Sequence, residues 1–186
     1  QCTTQLIVIL TVMRLGRESP DWLAGASLGG LVFNIAGLML TVAPVLAMDS
    51  VAPQAFGGGR LAEVGLAAQR AVLTALLFLL PSAILWIWAE RVLLALGQPP
   101  MAANLAATFL HVLVPSLPLS ATFEAARKFL YAQNRSGPPL YAALVALALH
   151  PMWQELMIRT FGFAGGPMAL VVTHATMCTG LLTFCA

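Results

Sequence analysis

Three histidines are the side chains of this sequence most suited to carrying a proton or binding a metal. His111, His150 and His174 each lie in a different long apolar run. Histidine titrates near neutral pH and is also a common metal ligand. The sequence contains no HExxH motif and no paired Cys/His spacing, so it predicts no metal site. His150 is the strongest candidate for a functional role, because Pro151 follows it and can kink the helix.

Asp49 is the only carboxylate that borders an apolar run without a basic residue within one helical turn. It follows the uncharged stretch 22–48, which places it near a membrane interface. Three interpretations are open: a latch that holds the cytoplasmic end of a helix bundle, a helix-end carboxylate bonded to nearby amides, or a group that couples to an ion. Asn34 and Gln54 are neutral polar groups that can bond across helices or line a polar cavity.

Two sets of charged residues have helical ion-pair spacing. Glu124 stands four residues before Lys128, with Arg127 between them, and Glu155 stands four residues before Arg159. Opposite charges at this spacing face each other on a helix surface. We therefore predict interfacial ion pairs at the ends of two membrane helices.

Other kinds of chemistry are not indicated. There is no Ser/His/Asp arrangement and no nucleotide motif, and the triple glycine at 57–59 lacks the Lys and Ser or Thr of a P-loop. The sequence thus predicts neither an enzyme nor a cofactor, nor an ATP-driven pump. The formal net charge of +2, without a basic run, gives no reason to expect a nucleic-acid partner.

The composition requires a lipid bilayer as the solvent of most of the chain. Hydrophobic residues make up 60% of the sequence and charged residues 9%, against about 25% charged in an ordinary soluble domain. The chain begins at Gln1 and ends within an apolar run, so we interpret it as a fragment whose first helix is truncated. The three cysteines, all in apolar runs, are interpreted as packing residues (Cys2, Cys178 and Cys185).

Uncharged stretches, broken by Pro- and Gly-rich turns, predict where the chain crosses the membrane. A spanning helix needs about 20 mostly apolar residues. The predicted spans, within a single transmembrane domain over residues 1–186, are 1–13 (truncated), 23–48, 70–90, 101–123, 137–157 and 164–186. Lys and Arg counts favour the connections after the second and fourth helices as the cytoplasmic ones, by five to four.

The order and register of several short motifs resemble the amino-terminal half of a multidrug and toxic compound extrusion (MATE) transporter of the eukaryotic, plant-like branch. The first three matches are Asn-x-x-Gly, then an Asp-containing triplet, and then Gln-Ala-Phe-Gly. The complete set is Asn34 with Gly37, Met48-Asp49-Ser50, Gln54 to Gly58, Gln69-Arg70, Leu96 to Pro99, Pro115, Lys128 to Gln133, His150, and Gly162 to Ala169. The sequence departs from the family pattern at Leu15 to Pro20, at Ala52-Pro53 and at Pro44.

The resemblance implies an all-α, polytopic membrane protein: a six-helix lobe of a twelve-helix transporter, whose second six-helix lobe is missing here. It implies rocker-type exchange of an organic cation, xenobiotic or secondary metabolite for protons or sodium. The plasma membrane or a vacuolar or other organelle membrane would hold it. Because the acids credited with coupling in this branch lie mainly in the second lobe, Asn34, Asp49 and His150 are implied as supporting or cavity-lining residues.

Three alternatives stay open at this point. A flippase for lipid-linked sugars shares the general architecture. An intramembrane metalloenzyme would use the three histidines and Glu155. A non-transporting fragment would only associate with other membrane proteins.

Overall fold

A computed structural model describes residues 2–185, and this range is almost entirely helical, with no β-strand. The predicted all-α class is therefore confirmed. The ten α-helices are α1 (Cys2–Gly16), α2 (Pro20–Val32), α3 (Leu40–Leu46), α4 (Met48–Gly57), α5 (Leu61–Ile87), α6 (Ala89–Ala95), α7 (Pro100–Leu113), α8 (Ser116–Ala132), α9 (Gly137–Phe161) and α10 (Gly165–Cys185). A π-helical segment (Phe33–Met39) joins α2 to α3, and a 3-10 turn (Gly162–Ala164) joins α9 to α10.

The helix that begins at Pro20 is longer than the sequence predicts. Its start is fixed by Ser19, whose hydroxyl accepts a hydrogen bond from the Asp21 amide at 3.2 Å, and by Pro20 in the first turn. The predicted span ends at residue 48, but helix continues as α4 to Gly57 and the chain turns only at Gly58–Arg60. An amphipathic segment explains the extension, since α4 buries Met48, Ala52 and Ala55 on one face.

Helix α5 likewise starts before its predicted span. It begins at Leu61, whereas uncharged sequence begins only after Arg70. The charged residues in its first turns do not stop the helix, because Glu63 and Arg60 are exposed and pair with each other at 3.0 Å. Val64, on the other face, is buried.

The predicted single span 101–123 is a pair of helices bent by 53° between Leu113 and Ser116. Pro115 lies at the break and supplies no amide hydrogen, so the helical ladder cannot run through it unchanged. Helix α8 then continues to Ala132, beyond the predicted end.

Helices α9 and α10 form an antiparallel hairpin. Gly162 has φ of +60°, a conformation that a side chain would strain. A Cβ atom on Gly165 would lie 2.1 Å from the Met157 carbonyl oxygen, so only glycine fits where the chain folds back. At the far end of the pair, Gly180 lies beside Ala142.

Three helical stretches of the described chain are long and apolar enough to cross a membrane: 20–57, 61–87 and 137–184. The bent pair α7–α8 makes a fourth, and α1 is a shorter apolar helix. The stretch 137–184 contains both arms of the α9–α10 hairpin.

Small residues bring α2 and α7 into close contact. A Cβ atom on Gly25 would lie 2.3 Å from Leu105 Cβ, and one on Gly29 would lie 2.8 Å from the Phe109 ring. Gly37 faces the fully buried Trp86. Cys178 is buried, as expected for a packing residue, while the side chains of Cys2 and Cys185 lie outside the described residues.

Candidate functional site

A cavity of about 100 Å³ lies inside the helix bundle and has an unusually polar wall for so apolar a chain. Helices α1, α8 and α10 and the π-helical segment contribute polar groups to it. They are Thr4, Gln5, Asn34, Ser120, Glu124 and His174. Leu38, Met39, Val42 and Phe123 complete the lining. We call this space the central cavity.

Asn34 stands at the start of the π-helical segment and links two helices. Its side-chain amide donates to the Gly30 carbonyl at 2.8 Å, and its oxygen accepts from Gln5 Nε2 at 2.9 Å. The π-helical segment and this bond together hold the side chain at the cavity wall. Sequence reasoning selected Asn34 as a cavity-lining candidate, and the structure places it there.

Glu124 brings a carboxylate into the central cavity. Its residue surface is 4% exposed, so it lies in the interior and not at an open helix end. Arg127, one turn later on α8, donates to the carboxylate and lies over the Tyr131 ring at 5.3 Å. This partner compensates the buried negative charge, which would otherwise be very costly in such surroundings.

His174 on α10 also lines the central cavity. Its Nδ1 lies 2.9 Å from the Leu170 carbonyl oxygen, and a carbonyl can only accept, so Nδ1 carries a hydrogen. Nε2 is buried and has no hydrogen-bond partner among the described residues. In the neutral ring this nitrogen is therefore an unused acceptor.

His150 lies in a separate buried network and does not line the central cavity. Thr11 Oγ1 is 3.1 Å from its Nε2, and Thr173 Oγ1 is 2.9 Å from its Nδ1. The ring thus connects α9 to both α1 and α10. Gln154, one turn further along α9, donates to the Leu10 carbonyl and adds a second link to α1.

Asp49 and Lys128 form an ion pair between α4 and α8. The Lys128 side chain is 7% exposed and that of Asp49 is 62% exposed. Of the charged groups grouped by spacing on α8, Arg127 contacts Glu124 and Lys128 reaches Asp49. Spacing alone could not reveal the second contact, because its partners are 79 residues apart in the chain.

A second charged cluster ties α1 to α9 at the other end of the bundle. The Arg14 guanidinium donates to Glu155 at 3.0 Å and to Glu18 at 2.6 Å. Arg159 contacts the same Glu155 at 2.8 Å, as its helical spacing predicts. Gln54 is exposed on α4, and its backbone carbonyl accepts a hydrogen bond from the Gly58 amide at 3.0 Å.

Sequence reasoning missed the hydroxyl and amide groups that complete these networks. Thr11, Thr173 and Ser120 each bond to the carbonyl four residues earlier, a pattern that gives no sign of a second role. Gln5 lies in the short first run and attracts no attention there. The sequence does hold a signal for these four polar residues. Each lies three positions from an apolar residue that the structure buries, and so on the same helix face as that residue.

The three histidines do not converge. His111 is exposed and contacts the Trp86 carbonyl at 3.1 Å, away from the other two rings. Within residues 2–185, no group of three His, Cys, Asp or Glu side chains is placed to hold a metal ion.

Comparison with known proteins identifies the family. The MatE family model matches residues 1–154. An uncharacterized transporter of Schizosaccharomyces pombe, C4B3.13, is 32% identical over 95% of this chain and 34% of its own length. Protein DETOXIFICATION 36 of Arabidopsis thaliana is 30% identical over 90% of this chain and 33% of its own length. The chain therefore spans about a third of the length of these relatives.

The crystal structure of the eukaryotic MATE transporter AtDTX14 has the same fold. It superimposes with a TM-score of 0.94 at 21% sequence identity, and the match covers 98% of this chain and 41% of that one. The predicted fold, a lobe of a MATE-type transporter, is thereby confirmed, and so is an integral membrane protein. With its family-model match and its fungal and plant relatives, the chain belongs to the MatE family, the eukaryotic, plant-like transporters that its motifs resemble.

Proposed function

We propose that this chain is the amino-terminal lobe of a secondary antiporter that exports organic cations, xenobiotics or secondary metabolites in exchange for protons or sodium. The observation that carries the proposal is the central cavity, which the buried Glu124 carboxylate and the His174 side chain line inside an apolar bundle. Ionisable groups at such depth are costly and are characteristic of substrate or ion pathways. The second lobe, the substrate and the coupling ion are its partners in this proposal.

The wall of the central cavity suits a cation better than an anion. It offers the Glu124 carboxylate and side-chain amide oxygens, while the guanidinium of Arg127 is turned to Glu124 and Tyr131. A protonated amine that enters would find the Glu124 carboxylate as an acceptor. A proton delivered to Glu124 would weaken that attraction, which is the logic of exchange between a cation and protons.

Alternating access needs a lobe that moves as a body, and two ion pairs support that motion here. The Asp49–Lys128 pair and the Arg14–Glu155 pair tie different helices together at opposite ends of the lobe. Local adjustment within that body is a separate requirement, and the break at Pro115 and the π-helical segment beside Asn34 are places where single helices can bend. We place this protein in the plasma membrane or a vacuolar or other organelle membrane.

The test uses the full-length transporter in proteoliposomes loaded with a cationic dye. We expect dye export when a proton or sodium gradient is imposed and none without it. Glu124→Gln keeps the shape of the side chain and removes its charge, so we expect at least a tenfold loss of transport. Because the change also leaves Arg127 without its carboxylate partner, the unfolding temperature is measured alongside, and transport is compared per folded protein. Glu63→Gln, at an exposed ion pair, is the matched control and should transport normally. Dye export at the same rate with and without an imposed gradient would contradict antiport. Normal transport by Glu124→Gln would show that the central cavity is not part of the transport pathway.

A further inference from the structure

His150 is held on both ring nitrogens by threonine hydroxyls from two other helices. Its residue surface is 0% exposed, so no solvent competes for these nitrogens. Thr11 Oγ1 of α1 is 3.1 Å from Nε2, and Thr173 Oγ1 of α10 is 2.9 Å from Nδ1. The protonation state of the ring therefore depends on which way these two hydroxyls point.

Both hydroxyls are already donors. Thr11 Oγ1 lies 2.9 Å from the Ile7 carbonyl oxygen, and Thr173 Oγ1 lies 2.7 Å from the Ala169 carbonyl oxygen. A carbonyl only accepts and a hydroxyl has one hydrogen, so each hydroxyl turns a lone pair to the ring. When both of these bonds are kept, both ring nitrogens donate. Neutral imidazole has one N–H and imidazolium has two, so this arrangement matches the protonated ring.

The neutral ring also fits, after one small change. One threonine hydroxyl would rotate and donate to the bare ring nitrogen, which releases its bond to Ile7 or Ala169. Those carbonyls still accept the backbone N–H four residues later, because both lie inside helices. No backbone group is left without a partner, so rotation of a hydroxyl is enough to satisfy either form of His150.

We propose that His150 is a proton-binding site in the core of this lobe, with Thr11 and Thr173 as the hydroxyls that adapt to the bound or released proton. Burial opposes the charged ring, and the two acceptor hydroxyls favour it. When the ring binds a proton, both of its N–H groups donate hydrogen bonds, one to Thr11 on α1 and one to Thr173 on α10. Release reverses one of these bonds. The site stands on this geometry and holds whether or not the protein is an antiporter.

Other charged and titratable groups surround the helices that meet at His150. They are Arg14 on α1; Tyr141, Glu155 and Arg159 on α9; His174 and Cys178 on α10; and Glu124, Arg127, Lys128 and Tyr131 on α8. Arg14 is engaged with Glu18 and Glu155, and Arg127 with Glu124. His174, next to Thr173 in the chain, is the neighbouring ring whose titration must be separated from that of His150.

The experiment is ¹⁵N NMR of histidine-labelled full-length protein in lipid bilayers, from about pH 5 to about pH 8, the interval in which histidine titrates. We expect a doubly protonated ring at the acidic end that converts to a single N–H as pH rises. This signal should be absent from His150→Gln and present in His174→Gln. A ring with one N–H over the whole interval would overturn the proposal, as would a titrating signal that disappears only in His174→Gln.

The threonines provide the matched series, and they also keep the test sharp if His150→Gln does not fold. Thr173→Val keeps the shape and removes the acceptor, so we expect proton binding to weaken about tenfold or more, the effect of one hydrogen bond to a charged group. Thr173→Ser keeps the hydroxyl and should titrate as the wild type does. Thr176→Val is the control, because the Thr176 hydroxyl bonds to the Val172 carbonyl on the same helix. An unchanged titration in Thr173→Val would overturn the proposal. Because no transport is measured, failure of antiport would leave this result intact.

Discussion

At the scale of single residues, this chain places several of its buried polar groups where a second helix supplies the partner. Asn34 accepts a hydrogen bond from Gln5 of α1, and His150 is hydrogen-bonded to threonine hydroxyls of α1 and α10. In an apolar bundle an unmatched polar group is costly, so such contacts select one arrangement of helices over others that pack equally well. Packing of small residues does the rest of that selection.

Glycine at the α2–α7 contact gives a residue-scale prediction. A Cβ atom on Gly25 would lie 2.3 Å from Leu105 Cβ, so Gly25→Ala must push the two helices apart, and we expect a loss of stability of about 1–3 kcal/mol. Gly30 is the matched control, because its Cβ would meet Val8 at 3.4 Å, an ordinary contact. Unfolding of the full-length protein in detergent measures both. Equal stability of Gly25→Ala and the wild type would mean that this contact is looser than the structure has it.

The role of a residue could be predicted from the sequence only as far as its own helix determines that role. Asn34 and His150 were selected from their position within apolar runs, and the structure gives both of them partners on other helices. The cavity position of Glu124 was not foreseen, because Arg127 and Lys128 follow it at helical spacing and made it look like part of a solvated helix end. Spacing describes one helix, whereas burial depends on the helices packed around it.

At the scale of elements, α4 is attached to α8 by an ion pair with one buried end. Removal of the exposed partner leaves the Lys128 ammonium buried and unpaired, so Asp49→Asn should destabilise the protein more than loss of a surface pair would, by about 1–3 kcal/mol. A double-mutant cycle with Lys128→Met measures the coupling by unfolding in detergent. The double variant should recover part of the stability lost in Asp49→Asn. Strictly additive effects would show that Asp49 is an ordinary helix-end carboxylate, the second sequence interpretation.

The break between α7 and α8 gives another element-scale prediction. Pro115→Ala restores a backbone N–H at the bend, so we expect equal or greater stability and slower transport, because a straighter α7–α8 resists the rearrangement of an exchange cycle. Pro100→Ala, at the first position of α7, is the control, since proline there disturbs no helical bond. The pair of measurements is unfolding temperature and the initial rate of dye export. Unchanged transport in Pro115→Ala would show that the α7–α8 bend shapes the bundle but takes no part in the exchange cycle.

Helix existence was predictable from the sequence, and helix ends were not. A span was expected to stop at the first charged residue, so the predicted boundaries were Met48 and Arg70. In the structure, α4 and the first turns of α5 continue the helices beyond these apolar stretches, with exposed charges on one face. Pro115 was noted inside a span, but a proline in a membrane helix can be absorbed or can break the helix. Neighbouring helices decide between these outcomes, and they are not visible in one segment's sequence.

At the scale of the whole molecule, the ion pairs lie at opposite ends of the lobe. Arg14 stands just before the helix that begins at Pro20, and Asp49 stands 29 residues after that start, which is roughly 40 Å along a helical path. The core between them is one large cluster that includes residues of α1, α2, α7, α8, α9 and α10. A lobe built this way should respond as one body to forces at either end.

That unity can be measured by weakening both ends at once. Asp49→Asn loosens the α4–α8 end, and Glu155→Gln removes the carboxylate shared by Arg14 and Arg159 at the other. Because the sites are far apart and share no partner, their effects on the free energy of unfolding should add to within about 0.5 kcal/mol if the lobe unfolds as a single cooperative unit. If the two ends belonged to separate units, only the variant in the weaker unit would move the first transition, and the double variant would match it.

Glu63→Gln is the control, since its exposed pair joins neighbouring turns and no distant helices. Additivity would support rocking of a rigid lobe, whereas a transition set by one end would mean that the lobe deforms internally during exchange.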